Sequence, residues 1–109
     1  FFCRSHDLPL TPEVCKYQFE IPFMIWMSDT YRRNRPDVAA QVAGALDRPF
    51  SADDLSHLLL DLAGIRCRWY DPARSLIGER FDTTRPRPLL MGFEPAGNYE
   101  TIIGRDRKQ

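Results

Sequence analysis

The chain has 109 residues, 43% hydrophobic and 28% charged, with a formal net charge of zero. That length accommodates one domain or part of one, and burial of roughly two thirds of the unfolded surface makes folding feasible with little to spare. Charge balance gives no global attraction to nucleic acid or an anionic membrane, and no apolar run approaches the roughly 18 residues that span a bilayer.

In chain order, residues 1–16 carry Pro9 and Pro12 in a polar mixture and read as loop. The opening Phe-Phe-Cys, without Met or a basic region before an apolar one, reads as a cut and not a natural start. Residues 21–27 are the longest apolar run and predict a strand buried on both faces, as in a parallel sheet covered by helices, with Pro22 at its start. Phe23 and Trp26 are then core residues. Ser28-Asp29-Thr30 predicts a cap opening a helical turn through 31–33.

Pro36-Asp37 precedes a second helix with Val38, Val42, Ala45 and Leu46 on one face. A third helix follows the N-cap candidate Ser51, with Asp54 in an acidic variant of the capping box. Leu55, Leu58, Leu59 and Leu62 form its apolar stripe, and Gly64 stops it. Asp71-Pro72 marks a turn, 85–88 an extended segment, and 89–91 and 99–103 two short strands. The order suggests an α/β layer arrangement whose single strong strand needs neighbours from elsewhere.

Cys3, Cys15 and Cys67 fit no zinc spacing. A Cys3–Cys15 disulfide and three incidental thiols both remain open. Asp53 and Asp54 suit the positive end of the third helix, Asp61 a polar face, and His57 a structural or solvent-exposed position. Arg32, Arg33 and Arg35 form a basic patch, either a solvated surface or one facing acidic head groups. Trp69-Tyr70 either covers the end of the third helix or contacts a partner.

Three stretches together resemble the sulfatase-like phosphoethanolamine transferases, of the alkaline phosphatase superfamily. They are IPFMIWMSDTYR at 21–32, SADDLSHLLLDLAGI at 51–65 and DPARSLIG at 71–78. Their order and spacing carry more weight than any one motif, since LLDLAGI recurs throughout sulfatases. The Trp-Met-Ser-Asp-Thr-Tyr form and His57 favour the branch acting on the lipopolysaccharide core.

The resemblance implies that residues 1–109 are the C-terminal part of an alkaline-phosphatase/sulfatase-like α/β sandwich, with a mostly parallel sheet flanked by helices. It implies a parent that moves phosphoethanolamine from phosphatidylethanolamine to lipid A or the lipopolysaccharide core, with a threonine nucleophile and zinc. Such a parent sits at the periplasmic face of the inner membrane, anchored by N-terminal helices. The Asp-His-Gly-Glu metal motif and the nucleophile segment do not occur in this sequence. The expectation is therefore a chain inactive alone, whose zinc ligands lie elsewhere in the parent, with no metal site and no nucleic-acid partner of its own. His6 is the catalytic candidate, an imidazole able to hydrogen-bond a phosphoryl oxygen or protonate a leaving alcohol. Arg4 is the substrate-binding candidate, through phosphate pairing. A fragment of a sulfuric ester hydrolase and a small noncatalytic binding module are the alternatives.

Overall fold

The computed structural model describes residues 11–91 and 94–104. It contains helices α1 (Pro12–Phe19), α2 (Asp29–Asn34), α3 (Pro36–Gly44), α4 (Leu55–Ala63) and α5 (Tyr99–Gly104), with strands β1 (Pro88–Met91) and β2 (Glu94–Asn98). A 3₁₀ turn, Ala52–Asp54, leads into α4. The chain divides into two compact units, one of 1–23 with 86–109 and the other of Met24–Arg85.

In the first unit, Thr11 caps α1 by accepting from the Val14 N–H at 3.2 Å, and Pro12 occupies the first turn. Residues 12–16, expected as loop, are therefore helical. Thr11-Pro12-Glu13 is a helix start, because proline's missing N–H costs nothing where the helix has no acceptor for it. Strands β1 and β2 form an antiparallel hairpin, Pro88 opposite Asn98, with a register shift between Leu89 and Leu90. Pro95 is tolerated because each strand of a two-stranded sheet has one open edge.

Residues 99–103 are helix α5, not the expected strand. Gly97, at φ 112°, lies within β2 at the register shift of the hairpin, and α5 packs on α1 with Ile102 buried. Its first turn is fastened by an Arg87–Glu100 ion pair, and the Arg87 guanidinium stacks 4.4 Å from the centre of the Tyr99 ring.

The Tyr99 hydroxyl donates to the Glu20 carboxylate. That hydrogen bond, with burial, pushes the phenol from 10.0 up to about 12. A pKa raised in the folded state means stability that is complete below pH 10.0 and lost as pH climbs towards about 12. Glu100 behaves oppositely. Burial pushes its carboxyl up, but hydrogen bonds and charge from Arg87 outweigh it and hold the group low. Its contribution is complete above the ordinary carboxyl range and lost in acid. Tyr99→Phe is expected to flatten the alkaline loss of α1 and α5 helicity, measured as urea midpoints by far-UV circular dichroism between pH 9 and about 12. Equal alkaline slopes for Tyr99→Phe and the native chain would refute the assignment.

In the second unit, Ser28 caps α2 as expected, its hydroxyl accepting from the Tyr31 N–H at 3.0 Å. Helix α3 starts at Pro36 and buries Val38, and Ala45 just beyond it is buried too. Leu46, assigned to the same face, is exposed, because the helix has already ended at Gly44. The core joins Val38, Ala45, Leu58, Leu76 and Ile77, with Ile25, Tyr31, Val42, Phe50, Leu62 and Phe81 around them.

Helix α4 ends in a Schellman arrangement. Gly64 sits at φ 69°, its N–H reaching the Asp61 carbonyl while the Ile65 N–H reaches that of Leu60. The left-handed backbone at Gly64 selects glycine, and the Arg35 guanidinium lies 3.0 Å from where a Cβ would stand, a contact its flexible side chain can yield.

Two expectations fail in this unit. The capping box does not form: Ser51 makes no side-chain cap bond, and the Asp54 carboxylate is taken by arginines. The leucine stripe is also rotated. Leu58 is 1% exposed but Leu59 54%, and Leu55 is exposed as well.

Residues 21–27, which run from the first unit into the second, also depart from expectation and carry neither helix nor strand. Trp26 is 84% exposed, and Ile21, Phe23 and Met24 are exposed too, so Phe23 and Trp26 are not core residues here. A buried parallel strand exists only with hydrogen-bonded neighbours on both sides, and among the described residues none pairs with this segment. The chain is thus mixed α and β, its sheet among the described residues being the two-stranded antiparallel hairpin and not a parallel one.

Candidate functional site

Asp54, His57 and Asp61 are spaced i, i+3, i+7, which puts them on one side of α4 and its leading turn. Against that side lies the segment 70–78. Asp54 is 6% exposed and accepts from Arg74 Nε at 2.6 Å on one oxygen and from Arg85 Nη1 at 2.7 Å on the other. His57, also buried, accepts the Asp71 N–H at Nδ1, 3.0 Å away, which requires the neutral tautomer with its proton on Nε2.

Asp61 accepts from the Ser75 hydroxyl, from the Tyr70 hydroxyl at 2.8 Å and from Arg66 Nη1 at 2.9 Å. Ser75 is fully buried, so that carboxylate is what satisfies its hydroxyl. Burial, then the bond to Asp61, pushes the Tyr70 phenol above its ordinary range.

On the other side of the same segment, Arg48 Nη1 donates to the Leu76 and Gly78 carbonyls at 2.7 and 2.8 Å. Its guanidinium also lies 5.7 Å from the centre of the Phe81 ring. Leu76 and Ile77 follow into the core. No buried side-chain nitrogen or oxygen among the described residues lacks a partner.

This arrangement fastens the 70–78 segment to α4: each acid accepts from a cation or a hydroxyl, and His57 accepts from a backbone amide. Among the described residues no three histidine, cysteine or acidic side chains converge on one point. The motifs at 51–65 and 71–78 are one structural unit, which is the physical reason for them to occur together.

His6 and Arg4, the catalytic and substrate-binding candidates, lie outside the described residues, as does Cys3. Cys15 is a buried thiol, pushed up by burial and by Glu20, and Cys67 is exposed; the Cys3–Cys15 pairing involves a residue outside the described ones. His57 takes the structural place expected of it. Asp53 is exposed, whereas Asp54 and Asp61 anchor the 70–78 segment instead of merely suiting a helix end or a polar face. Arg48, Arg74 and Arg85 carry no role in the sequence reading, whereas Tyr70, read there as covering the third helix or contacting a partner, bonds Asp61 on that helix. The i, i+3, i+7 spacing of Asp54, His57 and Asp61 was the available signal that a polar face was in use.

Comparison with known proteins gives one consistent result. The chain is 35% identical over 83 residues to the phosphoethanolamine transferase EptC of Escherichia coli K12, and equally to EptC of E. coli O18:K1:H7. It is 34% identical over 83 residues to the phosphoethanolamine transferase CptA of Salmonella typhimurium. Each match covers 75% of this chain and 13% of the relative, so the chain matches about an eighth of those proteins' length. No family model matches the chain, and no solved structure does. No helix among the described residues is long and apolar enough to cross a membrane. Over those 83 residues the chain is related to the phosphoethanolamine transferases and carries a phosphoethanolamine transferase-like segment.

Proposed function

We propose that the chain is the C-terminal part of a sulfatase-like enzyme that transfers phosphoethanolamine from phosphatidylethanolamine to lipid A or the lipopolysaccharide core. The observation that carries this reading is the 35% identity over 83 residues to a transferase of that name. In it, the segment of α4 and 70–78 is a prefastened corner of a larger α/β sandwich. Residues 21–27, largely exposed and in neither helix nor strand, become a sheet strand once neighbouring parts of the parent flank them. The threonine nucleophile and zinc ligands belong to those other parts, in keeping with the 13% of the relatives' length matched here. Zinc supplies there the charge that lowers the nucleophile's pKa. His6 and Arg4 then face the phosphoryl group, at the periplasmic side of the inner membrane.

The experiment is deletion of the complete parent gene, followed by mass spectrometry of lipid A and core oligosaccharide. Loss of a phosphoethanolamine substituent, restored by the intact gene but not by its His6→Ala version, is the expected result. An unchanged lipopolysaccharide, or sulfate-ester hydrolysis by the purified parent, would overturn the transferase assignment.

A further inference from the structure

Of the contacts that fasten 70–78 to α4, one depends on a group that ordinarily changes charge near neutrality. His57 is 7% exposed, and its Nδ1 accepts the Asp71 N–H at 3.0 Å. The other side-chain contacts come from carboxylates, hydroxyls and guanidinium groups, whose ordinary titration lies well away from neutral pH. An imidazolium carries a proton on both nitrogens and accepts at neither. Protonation of His57 at Nδ1 therefore sets two donors, the ring N–H and the Asp71 amide, against each other inside the fold. A buried donor left without an acceptor is costly, so the Asp71 end of the segment has to move off the helix.

The charges nearby do not reverse that outcome. On the helix side, Asp54 is met by Arg74 and Arg85 and Asp61 by Arg66, while Asp53 is exposed. On the segment side, the centre of the Tyr70 ring lies 6.3 Å from that of the imidazole, and the Asp71 carboxylate accepts the Ala73 N–H at 3.0 Å. Three arginines thus offset most of the carboxylate charge that would otherwise draw a second proton onto the ring.

We propose that His57 is an acid-released latch, which as a neutral imidazole holds the 70–72 end of the segment on α4 and as an imidazolium lets it go. The latch excludes a proton that the unfolded chain takes up. Its contribution to stability is complete above the ordinary imidazole range and lost as pH falls through that range. It belongs to this chain's own fold and stands or falls apart from the transferase reading.

The test compares the 109-residue chain with its His57→Asn variant. The asparagine Oδ1 takes the place of Nδ1 as acceptor and does not titrate. From about pH 7.5 to about 5.5, urea melts of the native chain should show the unfolding constant rising by up to about tenfold. That is the linkage limit for one proton taken up by the unfolded chain at an ordinary imidazole, near about 6.5. The variant should change less than about twofold, since His6 is common to both proteins and its contribution cancels. In the native chain by itself, NMR should show the Asp71 amide resonance moving together with the His57 ring as pH falls, which decides the matter where the variant does not fold. Equal pH dependence in the two proteins, or a His57 ring that takes up its proton while the Asp71 amide stays in place, would overturn the proposal.

Discussion

Asp54→Ala is expected to lower the stability of the second unit by about 2–3 kcal/mol. Breaking a fully buried ion pair costs about 3–5 kcal/mol, because the remaining charge loses its partner without regaining water. Here Arg74 and Arg85 are each about a third exposed, so solvent recovers part of that cost. The carboxylate is the more buried member and serves both cations, so its removal costs more than that of either arginine. Arg74→Gln and Arg85→Gln should each cost about 1 kcal/mol or somewhat more, and coupling in the double mutant should reveal the shared carboxylate. A domain of this size melts about 10 °C lower or more for the Asp54 change. Asp53→Ala is the control, because its side chain is exposed and only its carbonyl is used, by Arg74. Urea melts followed by far-UV circular dichroism decide the matter. If the two alanine variants unfold at the same midpoint, Asp54 does not anchor the segment.

The second large effect is at Leu58. Its side chain is at the centre of the core made by Val38, Ala45, Leu76 and Ile77, and truncating a buried leucine to alanine costs about 2–5 kcal/mol. Against a total stability of about 5–15 kcal/mol for a domain of ordinary size, that is a large share. Leu59→Ala, one residue on, should cost no more than about 0.5 kcal/mol, because the side chain is already largely in water. An amphipathic stripe drawn from sequence treats the two leucines alike. Thermal melts of the two variants separate that stripe from the observed face, and equal losses would reinstate it.

Together these results bear on what the helix and its following segment are for. Leu58 supplies an apolar contact in the middle of a side otherwise made by Asp54, His57 and Asp61. The apolar core fixes how close 70–78 lies, and the polar bonds fix its register, since each acid or imidazole accepts from a particular group at 70, 71, 74, 75 or 85. Buried hydrogen bonds to charged groups are directional and costly to leave unmade, so a one-residue slip would strand several at once. In the transferase reading, such a corner keeps its shape while the parent's reacting groups are assembled on it.

Much of the local structure was legible in the sequence. Ser28 before α2, Pro36 at the start of α3 and Gly64 after α4 all do what their chemistry dictates, because a helix end is satisfied by atoms within a few residues of it. The three motifs likewise pointed to the family that the comparisons support. The tertiary structure decided which side of α4 turns inward. Leu55 and Leu59 lost that place to Asp54, His57 and Asp61, because the segment packed there brings arginines, a serine hydroxyl and a backbone N–H rather than apolar groups. It also decided the fate of 21–27 and 99–103, which read as strands by composition. A strand is a relation between segments, and neither finds a pairing partner among the described residues, whereas the helix of 99–103 satisfies its own backbone and needs only α1 to cover Ile102.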